Sequence, residues 1–194
     1  MIFREDCSLS YVECMVLGLL NEGFTYGHEL DRVLDERSMR YWTKLTRRSI
    51  YSALKRLTEK GWVHSHTDRK GNMPEQIRYA LTDEGKSQLH KMIEDGLATT
   101  ELVRFDYSIP IALMYVIPRA VAIEKLTARR DWVGKFVHEI PPAQDDENPE
   151  LRIEERANVR LLRSYYLMEF EWLNWVIDEL HKPQNPNISY QAPH

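Results

Sequence analysis

Cysteine is scarce in this 194-residue chain, which carries only Cys7 and Cys14, so no disulfide framework can organise it. If both lie on one helix they are about two turns, or ~10 Å, apart, too far for an internal bridge. They read as packing residues. Long apolar runs are also missing. The longest, Ile109 to Ile117, falls well short of the ~18 residues that span a bilayer, so no membrane association is expected. The N-terminus carries Arg4, Glu5 and Asp6 and lacks a signal-peptide pattern, which points to a cytoplasmic protein. There is no Gly-rich phosphate loop, no zinc-ligand spacing and no nucleophile motif, so neither an enzyme nor a cofactor is expected. His64 and His66 would share one strand face, but no third ligand is evident nearby, so no metal is assigned.

Positive charge is lacking as well, at least over the whole chain. The net charge is −4, which looks wrong for a nucleic-acid binder until it is divided. Between Arg40 and Lys70 nine Lys/Arg stand against two acids, whereas residues 98–194 hold eleven Lys/Arg against fifteen acids. A basic patch on an acidic molecule is an electrostatic footprint that the total conceals. The apolar share of 43% and charged share of 29% describe an ordinary soluble chain with room for one large domain or two small ones.

The basic patch centres on residues 45–61. Ile50, Ala53, Leu54 and Leu57 recur at helical spacing and must face a core. Thr46 suits the N-cap and Gly61 the stop. The opposite face holds Arg47, Arg48, Tyr51, Ser52 and Lys55, with Arg56 and Lys60 toward its end and no acid before Glu59. Cations with short polar side chains suit a phosphate-lined groove, the cations neutralising backbone charge and the short groups reaching base edges.

Two helices precede this one. The first begins at Ser8, with Leu9, Val12, Met15, Val16, Leu19 and Leu20 inward and Glu13 in its second turn. The second runs from Thr25 or Gly27 to about Arg37, with Leu30, Val33 and Leu34 inward and His28 near its start as a surface or capping residue. After Gly61 the period changes. Residues 62–67 and 76–81 alternate around a turn-rich stretch that contains Arg69 and Lys70, which reads as a hairpin with a basic tip. A helix from Thr82 follows, with Leu89, Met92, Ile93 and Leu97 inward. Helix, helix, basic helix, hairpin, helix is the order of a winged helix-turn-helix, in which the third helix enters the major groove and the wing touches its flank.

Four segments make the order specific: Leu9-Ser10-Tyr11, Tyr26-Gly27-His28-Glu29-Leu30, Ser49 through Gly61, and Arg78 through Lys86. Together they resemble the PadR family of bacterial transcriptional regulators, with matching order and spacing over about residues 8 to 95. The family usually has Gly where Arg48 stands, Pro where Ser52 stands, and a Gly-Pro pair at Phe24-Thr25. Those differences bear on the operator read rather than on the fold. The resemblance implies a dimeric repressor whose C-terminal helices form the dimer and hold a small effector.

The C-terminal half reads as helical. Residues 106–117 are apolar enough for burial. Pro118 opens a helix to about His138, with Ala122, Ile123, Leu126, Val133 and Val137 on one side. Residues 140–149 form a linker. A last helix spans about 150–181, with one stripe of Leu161, Tyr165, Met168, Trp172, Val176 and Leu180 beside a second of Leu162, Tyr166, Leu173 and Ile177. So wide an apolar face has more to bury than one neighbour covers, so the surplus is expected to meet a second subunit.

The expected fold is therefore mostly α with a small β-hairpin wing. Residues 1–97 form the winged helix-turn-helix, 98–182 an α-helical dimerisation and effector domain, and 183–194 a disordered tail. Arg47, Arg48, Ser49, Tyr51, Ser52 and Lys55 are assigned to the groove of double-stranded DNA and Arg69 and Lys70 to the wing. Arg48 and Ser52 suit base edges, and Tyr51 and Lys55 suit phosphates. Tyr165, Tyr166, Phe170, Trp172 and Trp175 are candidates to line a pocket for a small aromatic effector. The expected molecule is a homodimer on a palindromic operator. The rival reading is a winged helix that binds protein instead, which would present an apolar rather than a cationic third helix.

Overall fold

The computed structural model describes residues 10–68, 75–100, 105, 107–140 and 152–183, with Tyr41 described for its backbone alone. Among these, seven α-helices and one two-stranded antiparallel sheet form a mostly helical fold. The chain divides into two compact units between Leu102 and Val103. Cys7, Leu9, Arg69, Lys70, residues 141–151 and the tail beyond Pro183 lie outside the described residues.

In the first unit, α1 (Tyr11–Asn21) is enclosed, with Val16, Leu17, Leu19 and Leu20 all buried. Its N-cap is Ser10 rather than Ser8: the Ser10 hydroxyl accepts from the Glu13 backbone N–H. Glu13 therefore stands in the first turn, not the second. Around α1 pack α2 (Gly27–Glu36) through Leu30, Val33 and Leu34, and α3 (Arg47–Glu59) through Ile50, Ala53, Leu54 and Leu57. These are the stripes that periodicity assigns inward. Between α2 and α3 lies a short 3₁₀ turn, Met39–Tyr41, clamped by Arg40. Its guanidinium donates to Asp31 at 2.6 Å, Asp35 at 2.5 Å and the Leu45 carbonyl at 2.5 Å.

The hairpin pairs β1 (Val63–Asp68) with β2 (Gln76–Leu81), in the register Val63 opposite Leu81 through Asp68 opposite Gln76. Sequence reading missed a third contributor. Tyr26 bridges to Arg78, and the Tyr79 N–H donates to the Thr25 carbonyl at 2.7 Å, so the residues before α2 extend the sheet. This accounts for the Tyr26-Gly27-His28-Glu29-Leu30 motif. The Tyr26 hydroxyl donates to Asp68 at 2.9 Å and ties the wing to α2. The Glu29 carboxylate accepts from Thr25 and Tyr26 N–H groups and caps α2. Leu30 is core.

The fourth helix, α4 (Asp83–Leu97), starts at Thr82, whose hydroxyl accepts from the Gly85 N–H at 2.9 Å. Gly85 presses against the end of the α3–β1 connection. A Cβ there would stand 2.0 Å from the Trp62 carbonyl oxygen, so the Thr82-Asp83-Glu84-Gly85 start requires glycine. Leu89 is buried and Met92 packs on the same core, but Ile93 and Leu97 are exposed, contrary to the inward placement periodicity suggests. By this point the helix has passed beyond the first unit's own core. Among the described residues, that unit leaves both of them exposed.

The second unit is built on two long helices, α6 (Arg119–Glu139, capped by Pro118) and α7 (Ile153–His181). Contacts of Arg119 with Lys182, Arg129 with Glu169 and Arg163 with Ile140 make the pair antiparallel. Its core joins Leu126, Val133 and Val137 to Leu173, Val176 and Ile177. Preceding them are a one-turn helix, α5 (Ser108–Ala112), and a 3₁₀ turn, Met114–Val116. The expectation that residues 106–117 are buried needs correcting. Tyr107 and Ile111 pack on the core, but Ile109, Leu113, Tyr115, Val116 and Ile117 are exposed. Leu161 and Met168 of the first stripe on α7 are exposed too, as is Trp175 outside both stripes.

Candidate nucleic-acid interface

The bounds of α3 follow from residues that sequence alone picks out. The Thr46 hydroxyl accepts from the Ser49 N–H at 3.1 Å. At the other end Gly61 adopts a left-handed φ of 74°. Its N–H reaches Thr58, and the Trp62 N–H reaches back to Leu57, the paired bonds of a glycine-terminated helix. Ile50, Ala53, Leu54 and Leu57 are fully buried, and Arg47, Arg48, Tyr51, Ser52 and Lys55 on the remaining face are exposed.

On that face the polar side chains fall into two rows four residues apart. One row is Arg47, Tyr51 and Lys55. Arg47 lies 3.8 Å from Asp31 and 6.0 Å from the Tyr51 ring centroid, and remains largely exposed. Tyr51 is 40% exposed, with its ring lying against Gly27, where an added Cβ would approach to 2.7 Å. Its ring thus props α2 against α3 while one side stays open. Lys55 has only Glu59, at 3.8 Å, and both are exposed. The other row is Arg48, Ser52, Arg56 and Lys60. Arg48 and Ser52 are exposed and, with Arg56, line a shallow depression completed by Val12, Thr46 and Ser49.

Ser49 does something that sequence reading did not see. Its Oγ accepts from the Thr46 N–H at 2.9 Å and donates to the Thr46 carbonyl at 2.7 Å, closing a reciprocal cap. Its hydroxyl is thus occupied within the helix start.

The count of nine local cations overstates the charge left without an acidic partner. Arg40 is committed to Asp31 and Asp35. Arg56 Nε and Lys60 Nζ lie 2.8 and 2.7 Å from the two oxygens of Glu13, which is 4% exposed. Burial pushes the Glu13 carboxyl up, but hydrogen bonds and charge from both cations outweigh it and hold the group below its ordinary value. Lys44, counted among the nine but not assigned to the groove, is exposed just ahead of α3 and has no ion-pair partner among the described residues. Arg69 and Lys70 fall outside the described residues, while the strands leading to them are in place. His64 and His66 are exposed on one face of β1.

In the second unit, the candidate effector residues spread over several contacts. Tyr166 meets Phe136 and Trp132 edge-on, and Tyr165 stacks on Phe105. Phe170 covers Gly134, and Trp172 meets Tyr107 edge-on. Trp175 is 59% exposed. At the centre of this aromatic layer Arg129 makes a bidentate pair with Glu169, at 2.8 and 3.0 Å, and lies over the rings of Tyr107 and Trp132.

Three core helices, an antiparallel wing tied to the start of α2 and a helix after the wing define a winged helix-turn-helix fold. The model of the "Transcriptional regulator PadR-like family" matches residues 16–91, the winged-helix part of this chain. The negative transcriptional regulator PadR of Bacillus subtilis (strain 168) is 30% identical over 92 residues, covering 47% of this chain and 50% of that protein. The chain thus spans about half the length of the curated relative it matches. Bacillus subtilis PadR in complex with operator DNA has a similar fold, with a TM-score of 0.71 at 19% identity over 87% of this chain and 98% of that one. The same protein in complex with p-coumaric acid aligns with a TM-score of 0.65 at 17% identity, over 91% and 99% of the two chains. No helix among the described residues is long and apolar enough to cross a membrane.

Proposed function

We propose that this chain is a sequence-specific DNA-binding transcriptional regulator acting as a homodimeric repressor on a palindromic operator. The observation that carries the reading is α3 itself. One face is fully buried, and Arg47, Arg48, Tyr51, Ser52 and Lys55 line the other. Cations and short polar groups on a capped, rigid helix match the width and charge of the major groove. The cationic rather than apolar outer face speaks against a protein-binding winged helix.

A single reading helix makes few phosphate contacts and binds weakly at physiological salt. Two of them, held about one helical turn (~34 Å) apart, gain through effective concentration. The exposed apolar residues of the second unit, such as Leu161, Met168 and Val116, supply a surface for that pairing. A small aromatic effector would act there: the layer of Tyr107, Trp132, Tyr165, Tyr166, Phe170 and Trp172 offers flat apolar walls. The Bacillus subtilis relative named above, solved with operator DNA and with p-coumaric acid, supports both partners by analogy.

Selection of bound duplexes from a random pool tests the reading. It should return a palindrome with half-sites about one turn apart, and an unenriched pool would contradict it. Titration with p-coumaric acid should quench tryptophan fluorescence and release the selected operator. Release without quenching, or quenching without release, would remove the effector from the account.

A further inference from the structure

The second row of α3 runs Arg48, Ser52, Arg56, Lys60 at a constant spacing of four, so all four project from one side of the helix. Its first half is open to solvent. Its second half is held by a single acid from another helix: Glu13 of α1 takes Arg56 on one carboxylate oxygen and Lys60 on the other. Lys60 is held further by the Trp62 ring, 4.6 Å from its ammonium. Glu13 is almost completely buried, yet the Arg56 and Lys60 side chains remain 47% and 43% exposed. The cations are therefore at the surface, beside Arg48 and Ser52, but both are drawn to one carboxylate, which offsets one of their two charges.

We propose that Glu13 is a positioning residue that withholds Arg56 and Lys60 from DNA and so limits how much charge α3 offers to any duplex. The inference rests on the DNA-binding reading above. Its physical basis is the division of labour between contacts. Phosphate contacts raise affinity for every sequence alike, whereas discrimination comes from base edges. A reading helix with all its cations free would bind non-specific DNA more tightly and discriminate less. Glu13 draws both cations away from phosphate and cancels one of their two charges, leaving Arg48 and Ser52 to read.

The experiment compares wild type, Glu13→Gln, Arg56→Gln, Lys60→Gln and Lys55→Ala in full-length protein, measuring affinity for a random-sequence duplex against salt. Gln at position 13 keeps the shape and removes the charge. Each released cation adds about 0.9 to the log–log salt slope, so two per protomer should steepen it by roughly 3.6 in the proposed dimer. Between 0.05 and 0.2 M salt that is an extra loss of affinity of about 150-fold, with tighter binding at the low-salt end. Arg56→Gln and Lys60→Gln, made with Glu13 intact, should leave the slope where it is, while Lys55→Ala makes it shallower. A purely structural Glu13 would lower the melting temperature of Glu13→Gln without moving the slope, and that result overturns the proposal. So does a slope made shallower by about 1.8 in Arg56→Gln or Lys60→Gln, a test that stands even if Glu13→Gln does not fold. Wild-type protein with no salt-dependent DNA binding would instead overturn the DNA reading, and this inference with it.

Discussion

Replacing Gly85 by alanine probes how the wing and α4 are locked to α3. The added methyl would lie 2.0 Å from the Trp62 carbonyl oxygen, and carbon and oxygen do not pack closer than about 3.0 Å, so backbone must part on one side or the other. That carbonyl is not free to swing away, because it already accepts the Thr82 N–H at 3.1 Å, while the Thr82 hydroxyl donates to the Gly61 carbonyl at 3.0 Å. Forcing such an overlap costs ~1–3 kcal/mol, of which the better helix propensity of alanine returns ~0.5–1. A net loss of ~1–2 kcal/mol in a domain of this size lowers the melting temperature by roughly 5–15 °C. Circular dichroism on heating reads this directly. Gly18→Ala is the matched control: it lies inside α1 with nothing within 4 Å of the new Cβ, so it should be neutral or slightly stabilising. A Gly85→Ala protein that melts with or above wild type would refute the packing argument.

Thr46→Ala removes the hydroxyl that caps α3 and should cost ~1 kcal/mol in thermal unfolding. Ser49→Ala should act through the same cap, lowering the melting temperature while leaving the salt slope for DNA unchanged. The Glu13 carboxyl, ordinarily titrating near 4.5, is held lower in the folded state, so its contribution is complete above that value and is lost as pH falls through the folded one. Melting temperatures measured downward from about pH 6 should therefore converge for wild type and Glu13→Gln at the acid end, and parallel curves would contradict this. Light scattering should return twice the chain mass, and a Leu161→Glu, Met168→Glu double variant should return the single mass; an unaltered wild-type dimer in that variant would move the pairing elsewhere.

What was legible in the sequence is what repeats locally. The stripe Ile50, Ala53, Leu54, Leu57 between Thr46 and Gly61 located α3 and its buried face, and the change of period after Gly61 located the wing. The register of α1 slipped because Ser8 and Ser10 are equally good caps by composition. Long-range pairings left no such trace. Nothing near Glu13 announces that its partners lie 43 and 47 residues away on α3, so Arg56 and Lys60 were counted as available charge. The union of Thr25 and Tyr26 with the wing is equally remote in sequence. For Ile93, Leu97 and the residues around Leu113, helical spacing and hydrophobicity are present but a covering partner within their own unit is not. Periodicity reports that a face wants burial and is silent about who supplies it.

The central claim is that the outer face of α3 is a DNA-reading surface, and the salt dependence of duplex binding tests it most directly. Arg47 and Lys55 give two phosphate-facing cations per protomer and four in the proposed dimer, so log affinity should fall against log salt with a slope of about −3.6 or steeper. An Arg47→Ala, Lys55→Ala double variant should flatten that slope by roughly 3–4 units while keeping the wild-type melting temperature. Binding that ignores salt, or a double variant with the wild-type slope, would contradict the account.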